Sequence, residues 1–183
     1  MNSTILYIVL IIVLIINFII FTKYNQLITA LNKVKKAQGS IDIYSNKRFD
    51  LIPNLVECVK GYSKHESDTL EKIVKLRTDY QKNDNKNIKQ VEKMNNELNK
   101  YLAIVESYPE LKADSQFMNL QKELSEVEGE LEKSRHEYNE EVTKYNILVE
   151  SVPGNIVAAI FNFRKAELFK IEEEKRENVK VKL

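Results

Sequence analysis

The sequence predicts an all-α protein: an N-terminal transmembrane helix followed by an elongated antiparallel bundle of about four helices. Three observations carry this. Residues 5–21, ILYIVLIIVLIINFIIF, hold no charge. Beyond them, apolar residues recur every three or four positions for most of the chain, the period of a helix packed along one face. Only four Gly and three Pro punctuate the 183 residues, far below average usage, so turns are few and helices long.

The apolar run, extended by Thr4 and Thr22, approaches the roughly 20 residues needed to cross a bilayer core. Each Ile, Leu, Val or Phe favours insertion by about 0.3–0.6 kcal/mol near the membrane centre, which outweighs the single Asn17. No basic residue precedes the run, and Phe21-Thr22-Lys23-Tyr24 follows it where a cleaved leader would carry small residues. Cys58, the only cysteine, is too far downstream to take a lipid at the run's end. Residues 1–22 therefore read as an uncleaved anchor, and the bilayer is the partner of residues 5–22. Lys23, Lys33, Lys35 and Lys36 follow closely, so the positive-inside rule puts the N-terminus outside and the remainder in the cytoplasm.

Residues 23–172 read as the helical bundle and 173–183 as a charged tail that frays. The first stripe is Tyr24, Leu27, Leu31, Val34, Ile41 and Tyr44, continuous with the anchor. Pro53 has no N–H and disfavours helix at Ile52, so the chain kinks or restarts there. Leu55, Val59 and Tyr62 resume the stripe, with Cys58 beside it. Ser67 starts a segment carrying Leu70, Ile73, Val74 and Tyr80. Residues 82–87, KNDNKN, form a polar turn. Val91, Met94, Leu98, Tyr101, Val105 and Tyr108 mark the next helix, which Pro109 ends. Asp114 or Ser115 caps the longest helix. Its face runs Phe117, Leu120, Leu124, Val127, Leu131, Tyr138, Val142, Tyr145, Val149 and Val152. The heptad fails at Ser134 and Glu141, and the seam shifts by one residue, as a straight helix drifts against a strict seven-residue repeat. Residues 152–155 make a sharp corner before a short apolar segment, 156–163.

Charge excludes one class of function. Lys and Arg total 28 against 27 Asp and Glu, without the basic excess of a nucleic-acid binder. Chemistry is scarce elsewhere. His65-Glu66 begins like a zinc-protease HExxH, but Thr69 stands where the second His belongs. Glu132 and His136 are four apart, not the three of a di-iron bundle motif, and no second copy exists. No Gly-x-Ser-x-Gly turn or phosphate-binding glycine loop is present. The carboxylates Glu123, Glu126, Glu130, Glu132, Glu140 and Glu141 alternate with Lys and Arg as a solvated face does. Catalytic residues, metal ligands and a cofactor are all expected to be absent, and the chain is not expected to be an enzyme. Tyr24, Tyr44, Tyr101, Tyr138 and Tyr145 lie on the stripes and fill the core with their hydroxyls at its rim. Tyr138-Asn139 and Tyr145-Asn146 repeat a heptad apart, setting both amides beside the seam, free to bond a neighbouring helix or loop.

Particular runs carry a resemblance. Tyr24-Asn25-x-Leu27, Arg48-x-Asp50-Leu-Ile-Pro-Asn-Leu-Val56, Val59-Lys-Gly-Tyr62 and His65-Glu66 form one set, continuing to Leu70-Glu71 and Arg77. Ser134-Arg135-x-x-Tyr138-Asn139-x-x-Val142-x-x-Tyr145-Asn146, then Val152-Pro153-x-Asn155-x-x-Ala158 and Phe161-x-Phe163, form another. Together they resemble the LemA family of bacterial membrane proteins. The departures are Phe49, Tyr108-Pro109 and a more basic tail. The resemblance implies a bacterial plasma-membrane protein with a transmembrane helix carrying a long helical bundle. It brings no catalytic residue, substrate or cofactor. An association of certain relatives with specialised bacterial membrane compartments hints at a membrane-organising role.

The leading functional expectation is a membrane-tethered, non-catalytic interaction or scaffold module, since tethering raises the effective concentration toward other membrane proteins. Its partner is an unidentified protein. The candidate surface is Asp50, Asn54, Lys60, His65 and Glu66, around the Pro53 kink; the competing reading is that these residues only cap helix ends. Self-association into a membrane-organising assembly is the second hypothesis. A subunit of an envelope-modifying enzyme is the third, lacking any acid/base pair, metal set or phosphate loop in its support.

Overall fold

The computed structural model describes residues 3–60, 71, 74–75, 77–78, 88–105 and 109–169. Among them there are helices and no strand. The helices are α1 (Ser3–Asp50), α2 (Ile52–Lys60), α3 (Ile88–Val105), α4 (Pro109–Lys112), α5 (Ser115–Glu150) and α6 (Gly154–Ile160). Glu71, Val74, Lys75, Arg77 and Thr78 are also helical. The start expected at Ser67 and the turn at 82–87 lie outside the described residues. Two compact units divide the chain: Met1–Ala37 with His136–Leu183, and Gln38–Arg135.

In the first unit, α1 begins with the apolar run, and its most apolar 18-residue window has a mean hydropathy of 3.1 with none of it buried. Among the described residues this is the one helix long and apolar enough to cross a membrane. Its polar side chains satisfy themselves on their own helix: Asn17 donates to Val13 O at 2.8 Å and Thr22 to Ile19 O at 3.0 Å. That self-bonding removes the unpaired donors that make polar groups costly in hydrocarbon. The same helix continues unbroken into the packed positions Leu27, Val34 and Ala37. From α5 come Tyr138, Val142 and Tyr145, and from α6 Val157 and Ala158.

A corner with a cis Val152–Pro153 peptide leads into α6. Gly154 is required there, because a Cβ would run into the Leu148 carbonyl oxygen, a backbone atom that cannot swing aside. The helix ends with Asn162 at a φ of 59° and Phe163 N–H bonded to Ala158 O at 2.9 Å. This is the Schellman ending, with Asn where glycine is commoner because its short polar side chain tolerates the left-handed region.

Residues 163–169 then run back along α5 as an extended strap. Each Tyr-Asn pair supplies one rung of a ladder. Tyr145 donates to Arg164 O at 2.9 Å; Asn146 donates to Ala166 O at 3.0 Å and accepts Ala166 N–H at 2.9 Å. Tyr138 donates to Glu167 O at 3.0 Å; Asn139 donates to Phe169 O at 3.1 Å and accepts Phe169 N–H at 2.8 Å. The registers match because a heptad of helix advances about 10.5 Å and three extended residues about 10 Å. Phe169, 5% exposed, closes the strap edge-to-face on Tyr138 at 5.4 Å. The amides beside the seam do bond a loop, as their spacing allowed.

In the second unit, α1 ends at Asp50, Leu51 makes the turn, and α2 restarts with Pro53 in its first turn, where a missing N–H breaks no bond. Ile41, Phe49, Ile52, Leu55, Val59, Leu98, Tyr101, Leu111, Phe117 and Leu131 form the heart of the core. Asp114 caps α5, accepting from Gln116 N–H at 2.7 Å and Phe117 N–H at 3.2 Å. Ser134, where the heptad fails, is buried and bonds back to Glu130 O at 2.9 Å. Two stripe expectations are corrected: Val74 is 42% exposed and does not join the buried face, and Val152, 78% exposed, lies in the corner beyond the end of α5 at Glu150 and does not continue its face.

Candidate interaction site

The second unit holds two features that position polar chemistry. The first is internal. Arg48 lies on the core face of α1 at 2% exposure. Its guanidinium donates to Asn95 at 2.8 Å and Asn99 at 2.5 Å on α3. It also makes an ion-pair contact with Glu128 at 2.6 Å, outside hydrogen-bond alignment. Asn95 is itself held by donating to Val91 O at 2.9 Å, and Arg135 reaches Glu128 at 3.5 Å. Burial lowers the pKa of Arg48, Glu128 pulls it back up, and Arg135 opposes. The cluster ties three helices through one cation, and its planar fork is what lets two amides and a carboxylate share it.

The second feature is an open groove of about 420 Å³ between α2 and α5. Asn54, Glu57 and Cys58 line it from α2, and Gln116, Asn119, Leu120 and Glu123 from α5. Each set lies three or four residues apart, so one helix face presents it. Two carboxylates, three amides and a half-buried thiol give a negatively biased wall with donors and acceptors. Burial raises the Cys58 pKa, and Asp114 and Glu57 raise it further; the thiol is therefore protonated at neutral pH and a poor nucleophile. Among the described residues, no group of three or more His, Cys, Asp or Glu side chains is gathered to hold a metal ion.

The five residues singled out from sequence fare differently. Asn54 is exposed and lines the groove. Asp50 is exposed outside it and pairs with the half-buried Arg77 at 3.3 Å. Lys60 ends α2, but its side chain lies outside the described residues, as do His65 and Glu66 altogether. Sequence reasoning missed Glu57, Gln116 and Asn119. Glu123 was read as part of a solvated face. The signal available was the polar face of the first α5 turns; that α2 lies opposite it is a tertiary fact. The remaining carboxylates do pair along the surface, Glu130 with Lys133 at 2.6 Å and Glu141 with Lys144 at 2.6 Å. His136 is exposed beside Glu140 at 3.4 Å.

The sequence model described as the LemA family matches residues 37–183. No curated protein matches the chain significantly.

Proposed function

The chain belongs to the LemA family, and on that premise we propose that it is a membrane-anchored, non-catalytic interaction or scaffold module. The observation that carries the reading is α1. An apolar run long enough to cross a bilayer, with none of its most apolar window buried, continues without a break into a packed core. The tether therefore has no flexible linker to dilute the effective concentration of the bundle at the membrane surface.

Its orientation is N-terminus outside and bundle in the cytoplasm, because the lysines follow the run and none precedes it. The membrane is the bacterial plasma membrane. Recognition falls to the α2–α5 groove. Glu57 and Glu123 with the amides of Asn54, Gln116 and Asn119 suit a cationic, hydrogen-bonding segment of a partner protein.

The test is a photo-crosslinking residue placed at Asn54 or Asn119 of the full chain in its own cells, with exposed Ile43 as control. The expected outcome is one protein captured from both groove positions and not from 43. A Glu123→Lys variant with an unchanged melting curve abolishes that capture. Capture that is equal at 43, or insensitive to the charge reversal, refutes the groove. Capture of this chain alone hands the reading to self-assembly.

A further inference from the structure

The second half of the first unit leaves a row of apolar side chains in the open. Val152 is 78% exposed, Ile156 57%, Ile160 61% and Phe161 47%. Ile156 and Ile160 are four apart and share one edge of α6, and Val152 stands in the corner just before the helix. The opposite face of α6, through Gly154, Val157 and Ala158, is buried. Residues 154–160 contain no charged side chain at all.

The height of this edge along α1 is fixed by aromatic contacts. The Tyr24 ring lies 4.8 Å from Phe161 and 5.8 Å from Phe163. Tyr24 stands three residues past Phe21, the last apolar residue of the run, which at 1.5 Å per residue is about 4.5 Å. The headgroup layer on each side of a bilayer core is itself roughly 5–8 Å deep. A run ending at Phe21 thus sets Tyr24, Phe161 and Phe163 at the depth where aromatic belts gather. Basic residues flank them, the half-buried Lys23 on α1 and the exposed Arg164 at the start of the strap.

We propose that α6 and the corner before it are a second membrane contact. Val152, Ile156, Ile160 and Phe161 enter the headgroup–acyl boundary of the leaflet from which α1 emerges, and lipid is what covers them. The contact is continuous with the anchor, so the unit meets the bilayer by a spanning helix and an interfacial helix joined through Tyr24. This rests on the reading of residues 5–22 as an anchor. An interfacial contact of this kind buries apolar side chains about 5–10 Å into the boundary and restrains the tilt of α1, since the rotation that lifts α6 exposes its apolar edge.

The test uses the full chain in liposomes of phosphatidylcholine and phosphatidylglycerol, with Cys58→Ser as background. Single cysteines at Ile156 and Ile160 carry an environment-sensitive fluorophore; both positions are exposed, so neither label disturbs the core. Ile12→Cys reports the anchor and Met118→Cys, exposed in the second unit, reports water. Quenching is read with lipids spin-labelled high on the acyl chain and with a water-soluble quencher. The expected result is lipid quenching at 156 and 160 several-fold above that at 118, with matching protection from the aqueous quencher. If 12 is quenched by lipid while 156 and 160 behave like 118, the proposal is overturned and the anchor stands. If 12 is not quenched either, the anchor itself falls and this contact with it. Protection from water at 156 without lipid quenching overturns lipid as the occupant in favour of a second copy.

Discussion

Asn146→Ala removes the amide half of one rung of the strap ladder and leaves Tyr145 on Arg164 O. Asn146 is half-buried and makes two hydrogen bonds to one residue, donating to Ala166 O at 3.0 Å and accepting Ala166 N–H at 2.9 Å. A net contribution of about 1 kcal/mol per bond gives about 2 kcal/mol for the amide pair, or about 30-fold in the opening equilibrium of that stretch. The second rung at Asn139 and the Phe169 ring on Tyr138 remain. The loss is therefore local, and the melting temperature moves little. Amide hydrogen exchange of the full chain reads it directly, because an opened strap exposes its own N–H groups. The Ala166 amide is expected to exchange about 30-fold faster in Asn146→Ala, and the Phe169 amide to respond less. Asn146→Asp keeps an acceptor for Ala166 N–H but faces Ala166 O without a donor, so it falls between. An Ala166 amide that exchanges equally in parent and Asn146→Ala would show that the aromatic side chains hold the strap and the ladder does not.

Four further outcomes are expected. Arg48→Met destabilises the protein by about 3 kcal/mol, the lower end for breaking a buried pair because Glu128 keeps Arg135; Arg48→Lys does not restore it, and denaturant unfolding showing less than 1 kcal/mol of loss would contradict the account. Burial raises the pKa of Tyr138 and Tyr145 above the usual tyrosine value. A raised folded-state value means their contribution is complete below the unfolded pKa of about 10 and fades as pH rises through the folded one, so strap amides open in strong alkali and do not respond between pH 6 and 8. Gly154→Ala forces a methyl against the Leu148 carbonyl oxygen; it lowers the melting temperature, and an unchanged melt would mean that the corner shifts without cost. Cys58 resists a membrane-impermeant maleimide in intact cells. In permeabilised cells it reacts more slowly than a free thiol, with a rate that climbs with pH; labelling in intact cells would reverse the orientation.

Periodicity and punctuation were enough for the long helices among the described residues, for local reasons, though not for the short α4 that Pro109 begins. A long charge-free run forms an unbroken apolar helix, Pro53 fits only the first turn of one, and Asp114 before an apolar face caps one. The same local logic marked Tyr138-Asn139 and Tyr145-Asn146 as a repeat with outward amides. It could not say what they bind, because the strap has no pattern of its own: its backbone is read and its side chains, apart from Phe169, are largely exposed. Arg48 defeated the pattern in the opposite direction, since a charged residue scores as surface until its amide and carboxylate partners are known. The groove escaped for a third reason. Glu57, Asn119 and Glu123 are ordinary solvated residues one helix at a time, and only the approach of α2 to α5 makes them a wall.

By itself, then, the sequence determined an apolar N-terminal helix, the long helices that follow it among the described residues, and the turns at Pro53 and Pro153, since each depends on residues within a few positions of one another. Tertiary structure alone decided which polar groups face each other: Arg48 with Asn95, Asn99 and Glu128, α2 with α5 across the groove, the strap on its ladder, and α6 at the height of Tyr24. Those pairings join residues from about 20 to more than 130 positions apart, and no local preference specifies a partner at such range.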